Sequence, residues 1–218
     1  MAECQDPLRE NAPPSPVEAV PLSRASITDA AIDFIEDHGL DRLSMRALAT
    51  ELGCGTMSLY SHVRNRDDLV AAIVGELLER SGILAVTASE FTGWQQLITA
   101  SLHAYRDLAV DYPGSFELLA LAPYDVAPVV EHLERLVVAL RRAGVTGDRA
   151  YEVLGALDAY ATGFLMVWAR AQAGRKESDE RASSSLRDLR TLEVFDQGLR
   201  VFIEGFELEF ARNEPAAD

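Results

Sequence analysis

The side chains best placed to do chemistry in this chain are arginines gathered in one short stretch. Between Arg42 and Arg66 stand four arginines (Arg42, Arg46, Arg64, Arg66) and one acid, Glu51, a local excess of three positive charges. The whole chain carries 20 Lys+Arg against 35 Asp+Glu, a formal net charge of −15. Such an acidic whole argues against indiscriminate polyanion binding. A basic patch on it is suited to a phosphodiester backbone, because phosphate contacts supply much of the affinity of nucleic-acid binding. Other chemistries find little support. The four histidines (His38, His62, His103, His132) show no metal-ligand spacing, and no Cys–His or Ser–His–Asp set is apparent. There is no glycine-rich phosphate loop. No catalytic centre, metal site or cofactor is therefore expected. Cys4 and Cys54 cannot build a disulfide framework, which fits a reducing cytoplasm.

The elements that must position those arginines are helices. At 218 residues, 48% hydrophobic and 25% charged, the composition is that of a folded globular chain. The longest apolar stretch, Ala159 to Ala169, is too short to span a bilayer, and no secretory signal is expected. Residues 1–22 hold five of the nine prolines (Pro7, Pro13, Pro14, Pro16, Pro21) and few large apolar groups, which predicts a mobile arm. From Ser23 onward the apolar residues recur at helical spacing, with no strand-like alternation. Ile27, Ala30, Ala31, Phe34, Ile35 and His38 share one face of a first helix, with Ser26 as N-cap and Gly39 as stop. A second helix covers 45–52 after Ser44. A third, capped by Thr56, runs to about His62, and a fourth follows Asn65 with Leu69, Ile73, Leu77 and Leu78 inward. Residues 82–92 read as a connector. Further helices are expected near 94–111, 114–122, 125–143, 148–173 and 192–211, with 174–190 a long exposed connection. The prediction is an all-α chain. It has an arm at 1–22, a small helix-turn-helix unit at 23–81 and a larger helical bundle at 82–213.

The segment LSMRALATELGCGTMSLYSHVRNRDDL sets two short helices around Gly53-Cys54-Gly55, with the small Ala49 four residues before Gly53. Close crossing of two helices needs a small residue, and the tight turn needs a glycine. A helix-turn-helix presents its second helix to the DNA major groove. An αα-hairpin of no special function has the same outline, but the turn, the Ala–Gly spacing and the arginine cluster together favour DNA.

The run from Ile27 to Leu78 resembles the DNA-binding domain of TetR-family transcriptional regulators. The shared features are a helix ending in Gly, then L-S-x-R-x-L-A, then G-x-x-x-x-S-L-Y-x-H-V, then a basic start to the next helix. The resemblance implies that Arg46 reads a guanine edge, a contact arginine makes bidentately to O6 and N7. It implies that Thr56, Met57, Ser58 and Ser61 occupy the exposed positions of the recognition helix. Tyr60 and His62 would grip phosphates, and Arg66 would add a basic group at a helix start that itself favours phosphate. Arg24 could reach the backbone from the arm. Met57 replaces the family's commoner Pro or Val, so the resemblance does not specify an operator sequence.

The second half resembles the C-terminal domain of the tetracycline repressor and its relatives, through patterns more than a motif. The stripe Phe195, Leu199, Phe202, Ile203, Phe206 and Phe210 in the last helix carries Gly198 and Gly205 seven apart, which would let another helix approach closely. With the helix at 148–173 it would form a four-helix homodimer interface, to which Leu154, Asp158, Gly198, Phe202, Gly205 and Phe206 are assigned. A dimer suits a palindromic operator whose half-sites lie about 34 Å apart. An effector cavity is the family's usual complement, with His103, Arg106, Phe116, Tyr124, Tyr160, Phe164 and Trp168 as candidate lining groups. The magnesium-binding histidine of the tetracycline repressor falls on Leu118, and its later acid near Val167. That disfavours a tetracycline–magnesium inducer and favours a small, largely apolar or aromatic molecule. The resulting expectation is a cytoplasmic, homodimeric, ligand-released repressor. The alternatives are redox control through Cys54, control by a protein partner, which a cavity too small for an organic molecule would favour, and an all-α enzyme.

Overall fold

The computed structural model describes residues 21–125, 127–173 and 190–213. The expected arm, with Cys4, and the connection at 174–190 lie outside the described residues except at positions 21, 22 and 190. Among the described residues every regular element is helical. In chain order these are α1 (Arg24–His38), a 3₁₀ turn at Leu40–Arg42, α2 (Met45–Glu51), α3 (Thr56–Tyr60), α4 (Arg66–Arg80), α5 (Ile83–Ala88), α6 (Trp94–Asp111), α7 (Phe116–Ala120), α8 (Val129–Arg142), α9 (Arg149–Ala173) and α10 (Leu192–Asn213).

Three local expectations need correction. α1 begins earlier than its apolar stripe suggested. Ser23 is the N-cap, and Ser26 sits one turn inside as the reciprocal partner of a capping box, its hydroxyl accepting from the Ser23 N–H. α3 is capped by Gly55 with no side-chain bond, so Thr56 is its first helical residue, and it closes at Tyr60. The stretch 82–92 holds a helix, α5, because Ile83 and Thr87 turn inward at i, i+4. Ser44 and Asn65 cap as expected, accepting from Ala47 and Asp68 backbone N–H groups.

The core falls into two clusters, with Leu102 and Tyr160 packed against both. Ile27, Ile35, Leu48, Leu59, Ile73 and Leu77 of the first four helices pack in one cluster with Leu108, Phe116, Leu165 and Phe195. A second cluster closes the far end around Trp94, Leu97, Val137, Leu140, Val153 and Leu199. Polar struts join the front helices to the rest. The Glu36 carboxylate of α1 accepts from the Gly114 and Ser115 N–H groups ahead of α7, at 2.9 and 2.8 Å. Arg80 of α4 bonds Glu76 and Asp29 and lies over the Tyr112 ring. Pro128, at the start of α8, packs against α4 at Gly75, where an added Cβ would stand 3.6 Å from its ring.

Candidate nucleic-acid interface and interior cavity

α2 and α3 meet through a turn whose hydrogen bonds are fully specified. The Cys54 N–H donates to Ala49 O at 3.0 Å and the Gly53 N–H to Thr50 O at 3.1 Å. This six-to-one plus five-to-two pair is a Schellman stop, and it needs the left-handed φ of +63° that Gly53 adopts. Cys54 follows the glycine, half-buried against the core, where a small apolar group is wanted. The stop sets α3 against α2 so that Leu59 and Val63 are buried while Met57, Ser58, Tyr60, Ser61 and His62 face outward. Met57 is 80% exposed and Tyr60 43%, so neither side chain belongs to the core. Thr56 is half-buried.

The arginines divide into two sets. Arg42, Arg46 and Arg66 are exposed, and none has an ion-pair partner among the described residues. Arg24 and Arg64 converge on Asp68, at 2.9 and 3.1 Å. Arg24 also donates to His62 O at 3.3 Å and Asp68 O at 3.1 Å. These donors hold the Asp68 carboxyl well below the usual carboxylate range, the Arg24 bonds acting most and the Arg64 backbone and side-chain bonds after them. Arg24 is therefore a strut from α1 to the turn before α4, with its guanidinium committed inside the protein rather than left for a phosphate.

Behind this face lies an apolar cavity of about 90 Å³ between α5, α6, α8 and α9. Leu97, Ile98, Leu136, Leu140, Val153 and Leu157 form much of its wall. Ser101, Tyr105 and His132 reach it from α6 and α8, and Tyr124 and Asp158 also line it, the Tyr124 hydroxyl donating to Asp158. Two of its lining residues carry a buried polar atom with no hydrogen-bond partner among the described residues, Ser101 Oγ and His132 Nδ1. Burial, with a lesser push from Arg135, lowers the His132 pKa to about 4, so the ring is neutral at pH 7. His132 and Leu78 also line a groove between α1, α4 and α8, so they form a shared wall between cavity and front helices.

Of the seven expected lining groups, only Tyr124 reaches this cavity. Arg106 bonds Asp107, and its Nη1 bonds both oxygens of Asp196 at 2.9 Å; His103 Nε2 lies 3.3 Å from Asp196. Phe116 is fully buried core, its ring 4.9 Å from that of Tyr105. Tyr160 donates to Phe195 O at 2.7 Å and joins Phe164, Phe195 and Phe202 in an aromatic cluster. Trp168 is half-buried beside the core. The residues missed, Ser101 and Tyr105, share the inward stripe of α6 with Trp94, Leu97, Ile98 and Leu108. His132 does the same on α8 with Val129, Leu136 and Leu140. Phase along the helix was the available signal, whereas His103 and Arg106 lie off that stripe.

The interface candidates also separate. Leu154 and Asp158 border the cavity. Tyr160 of the same chain fills the space at Gly198, where a Cβ would overlap its hydroxyl. Gly205 is open, and it shares an outer groove with Val201, Phe202, Phe206 and Glu209. On α9 the exposed positions Gly155, Ala159, Gly163 and Val167 recur every four residues, with nothing within 4 Å of a Cβ at either glycine.

Residues 27–73 match the family described as bacterial regulatory proteins, tetR family. That match places a tetR-type regulatory domain on the front helices of the chain. It is 26% identical over 160 residues to the HTH-type transcriptional repressor DrrR1 of Streptomyces coeruleorubidus, covering 73% of this chain and 57% of that one. It is 32% identical over 91 residues to the class D tetracycline repressor of Escherichia coli, 42% of this chain and 41% of that one. The aligned region thus spans little more than half of the first relative and under half of the second. Its fold is that of TetR from Acinetobacter baumannii AYE, with a TM-score of 0.70 at 22% identity over 85% of this chain and 97% of the other. BioQ crystallised with its double-stranded DNA operator gives 0.60 at 26% identity, over 84% and 97%. Among the described residues no group of three or more His, Cys, Asp or Glu could hold a metal ion, and no helix is long and apolar enough to cross a membrane.

Proposed function

We propose that this chain is a TetR-family homodimeric DNA-binding transcriptional repressor, released from its operator by a small molecule, with no catalytic role. Residues 23–81 form the reading head and 82–213 the effector-binding and dimerising body. The observation that carries DNA binding is the exposed, unpaired set Arg42, Arg46 and Arg66 around α3 on an otherwise acidic protein. Arg46 is the candidate base reader. Met57, Ser58, Tyr60, Ser61 and His62 contribute groove and backbone contacts, and Arg66 holds phosphate at the start of α4. Thr56 contributes its backbone end of α3 more than its half-buried side chain.

The homodimer seam that the exposed faces support differs from the one the sequence suggested. It joins Gly155, Ala159, Gly163 and Val167 of α9 with Val201, Gly205 and Leu208 of α10, and Phe202 and Phe206 lie behind it. An effector in the cavity pushes on α8, and Pro128 passes that motion to α4 at Gly75. A ligand that fits only one spacing of the two heads shifts the population away from the DNA-binding state. The cavity volume of about 90 Å³ is what control by a protein partner would expect. The unpartnered His132 and Ser101 atoms favour a ligand.

Fluorescence anisotropy against the DNA immediately upstream of the reading frame tests this. Sequence-selective binding that weakens steeply with salt, and is lost in Arg46→Ala and Tyr60→Ala, supports the reading. A dimer free of co-purified ligand that shows no preference across a genomic DNA library sinks it.

A further inference from the structure

We infer that the interior cavity is built for a neutral, hydroxyl-bearing apolar ring, a phenol-like molecule, and discriminates against carboxylates. This rests on the effector-responsive reading above and names the chemistry of its ligand.

Three observations carry it. First, Ser101 and His132, at 5% and 7% exposure, each leave a polar side-chain atom unpaired on the wall of one apolar cavity. A buried unsatisfied donor or acceptor is costly, so native proteins rarely keep one without a use. Second, both groups work in either direction. A serine hydroxyl donates or accepts, and the neutral imidazole offers a donor or an acceptor at Nδ1 according to tautomer. A hydroxyl both donates and accepts, so it can complement either group. Third, among the described residues no lysine or arginine lines the cavity, and its fixed charge is the Asp158 carboxylate beside Tyr124. A carboxylate ligand would be desolvated with no cation to meet it and with a like charge nearby, which is strongly unfavourable.

Size sets a further limit. An apolar cavity of roughly 150 Å³ takes up benzene, and this one measures about 90 Å³. Uptake of a single ring must therefore displace part of the wall. The side chain best able to yield is Tyr124, 60% exposed and tied to the cavity by its bond to Asp158.

The test is calorimetric titration of the full chain with three single-ring probes, phenol, toluene and benzoate. Phenol is expected to bind at least tenfold more tightly than toluene, the order of one made hydrogen bond, with benzoate undetectable. In His132→Phe the preference for phenol over toluene should fall to about threefold or less while toluene still binds; Ser101→Ala should lower it partially. The imidazole ¹⁵N shifts of His132 in the unmodified protein supply a readout that needs no variant, and phenol but not toluene should move them. Equal affinity for phenol and toluene, binding of benzoate comparable to phenol, unmoved ¹⁵N shifts at saturation, or no binding by any probe would each overturn the assignment. Operator anisotropy with and without phenol is read separately. Selective uptake that leaves DNA binding unchanged removes effector control and keeps the cavity's chemistry. DNA release by benzoate as readily as by phenol removes the cavity's chemistry and keeps effector control.

Discussion

At the front of the molecule, Arg24, Arg64 and Asp68 close a hydrogen-bonded knot, the α2 stop satisfies its own carbonyls, and the polar groups left over point into solvent. In the body, Ser101 and His132 line an apolar void, and Ser101 Oγ and His132 Nδ1 are buried with no hydrogen-bond partner among the described residues. A surface that must dock on a duplex gains from being rigid and already complete, because ordering costs are then met before binding. A surface that must respond to a ligand gains from being incomplete, because the ligand then supplies contacts that one state lacks. The difference teaches where to look for each activity: for DNA, among exposed and unpaired cations, and for effector, among buried and unpaired neutral groups.

The largest effect should come from the densest packing. Leu59 is fully buried on the inner face of α3, and Leu59→Ala should cost about 3 kcal/mol of stability in urea unfolding. Leu136, which already borders the cavity, should lose less, nearer about 2 kcal/mol, because its neighbours are fewer on one side. A larger loss at Leu136 would mean the void is not there in solution.

Acid titration sharpens the same contrast. His132 has its pKa lowered to about 4 in the folded state, against an ordinary 6.5. The unfolded chain therefore takes up the proton first as pH falls. The stability that the neutral ring contributes is complete above about pH 6.5 and is lost progressively toward pH 4, by at most about 3 kcal/mol. The charged groups that bear on it are Arg135 and Glu131 on its own helix, Glu76, Glu79 and Arg24 across the groove, and Asp158 across the cavity. His132→Phe should flatten the pH 6.5 to 4.5 limb of urea midpoints. An unchanged limb would show that other groups carry it.

Arg46→Ala should weaken operator binding by about 1–3 kcal/mol, roughly fivefold to 150-fold, and relax preference at one base pair. Arg24→Ala should act differently. Since its guanidinium is committed to Asp68 and the His62 carbonyl, the loss should appear in thermal stability with base preference intact. A change in base preference in Arg24→Ala would return it to the interface.

What was legible in the sequence follows the same division. The front unit is written in local signals. Ser44, Gly53 and Asn65 each fix a helix end within a few residues, and the arginine cluster is contiguous enough to count. Arg24 escaped that reading because its partner, Asp68, is 44 residues away. In the body the same cause separates Arg106 and Tyr160 from the cavity expected of them. Arg106 is satisfied by Asp196, 90 positions later, and Tyr160 fills the gap at Gly198 from another helix. Ser101 and His132 were readable from helical phase, since each sits on its helix's apolar stripe, but a stripe alone does not say that its polar member lacks a partner. That fact belongs to the packing.

The smallest effects come from two glycines that look alike in sequence. At both, an added Cβ would meet nothing within 4 Å of the same chain. Gly53 holds a left-handed φ of +63°, so Gly53→Ala should cost about 1 kcal/mol, the strain of that conformation less the entropy the unfolded chain gives up. Gly163 is in the middle of α9 with ordinary helical backbone, where alanine alone is worth about 0.5–1 kcal/mol of added stability. If the exposed α9 face stays in solvent, Gly163→Ala should raise the melting temperature and leave the oligomer unchanged. If that face is the homodimer seam, the added methyl separates two helices that had approached closely, and dilution should dissociate the variant at a higher concentration than the parent. Sedimentation equilibrium on both proteins reads the difference, and a stabilised variant with unaltered dimerisation would move the seam away from Gly163.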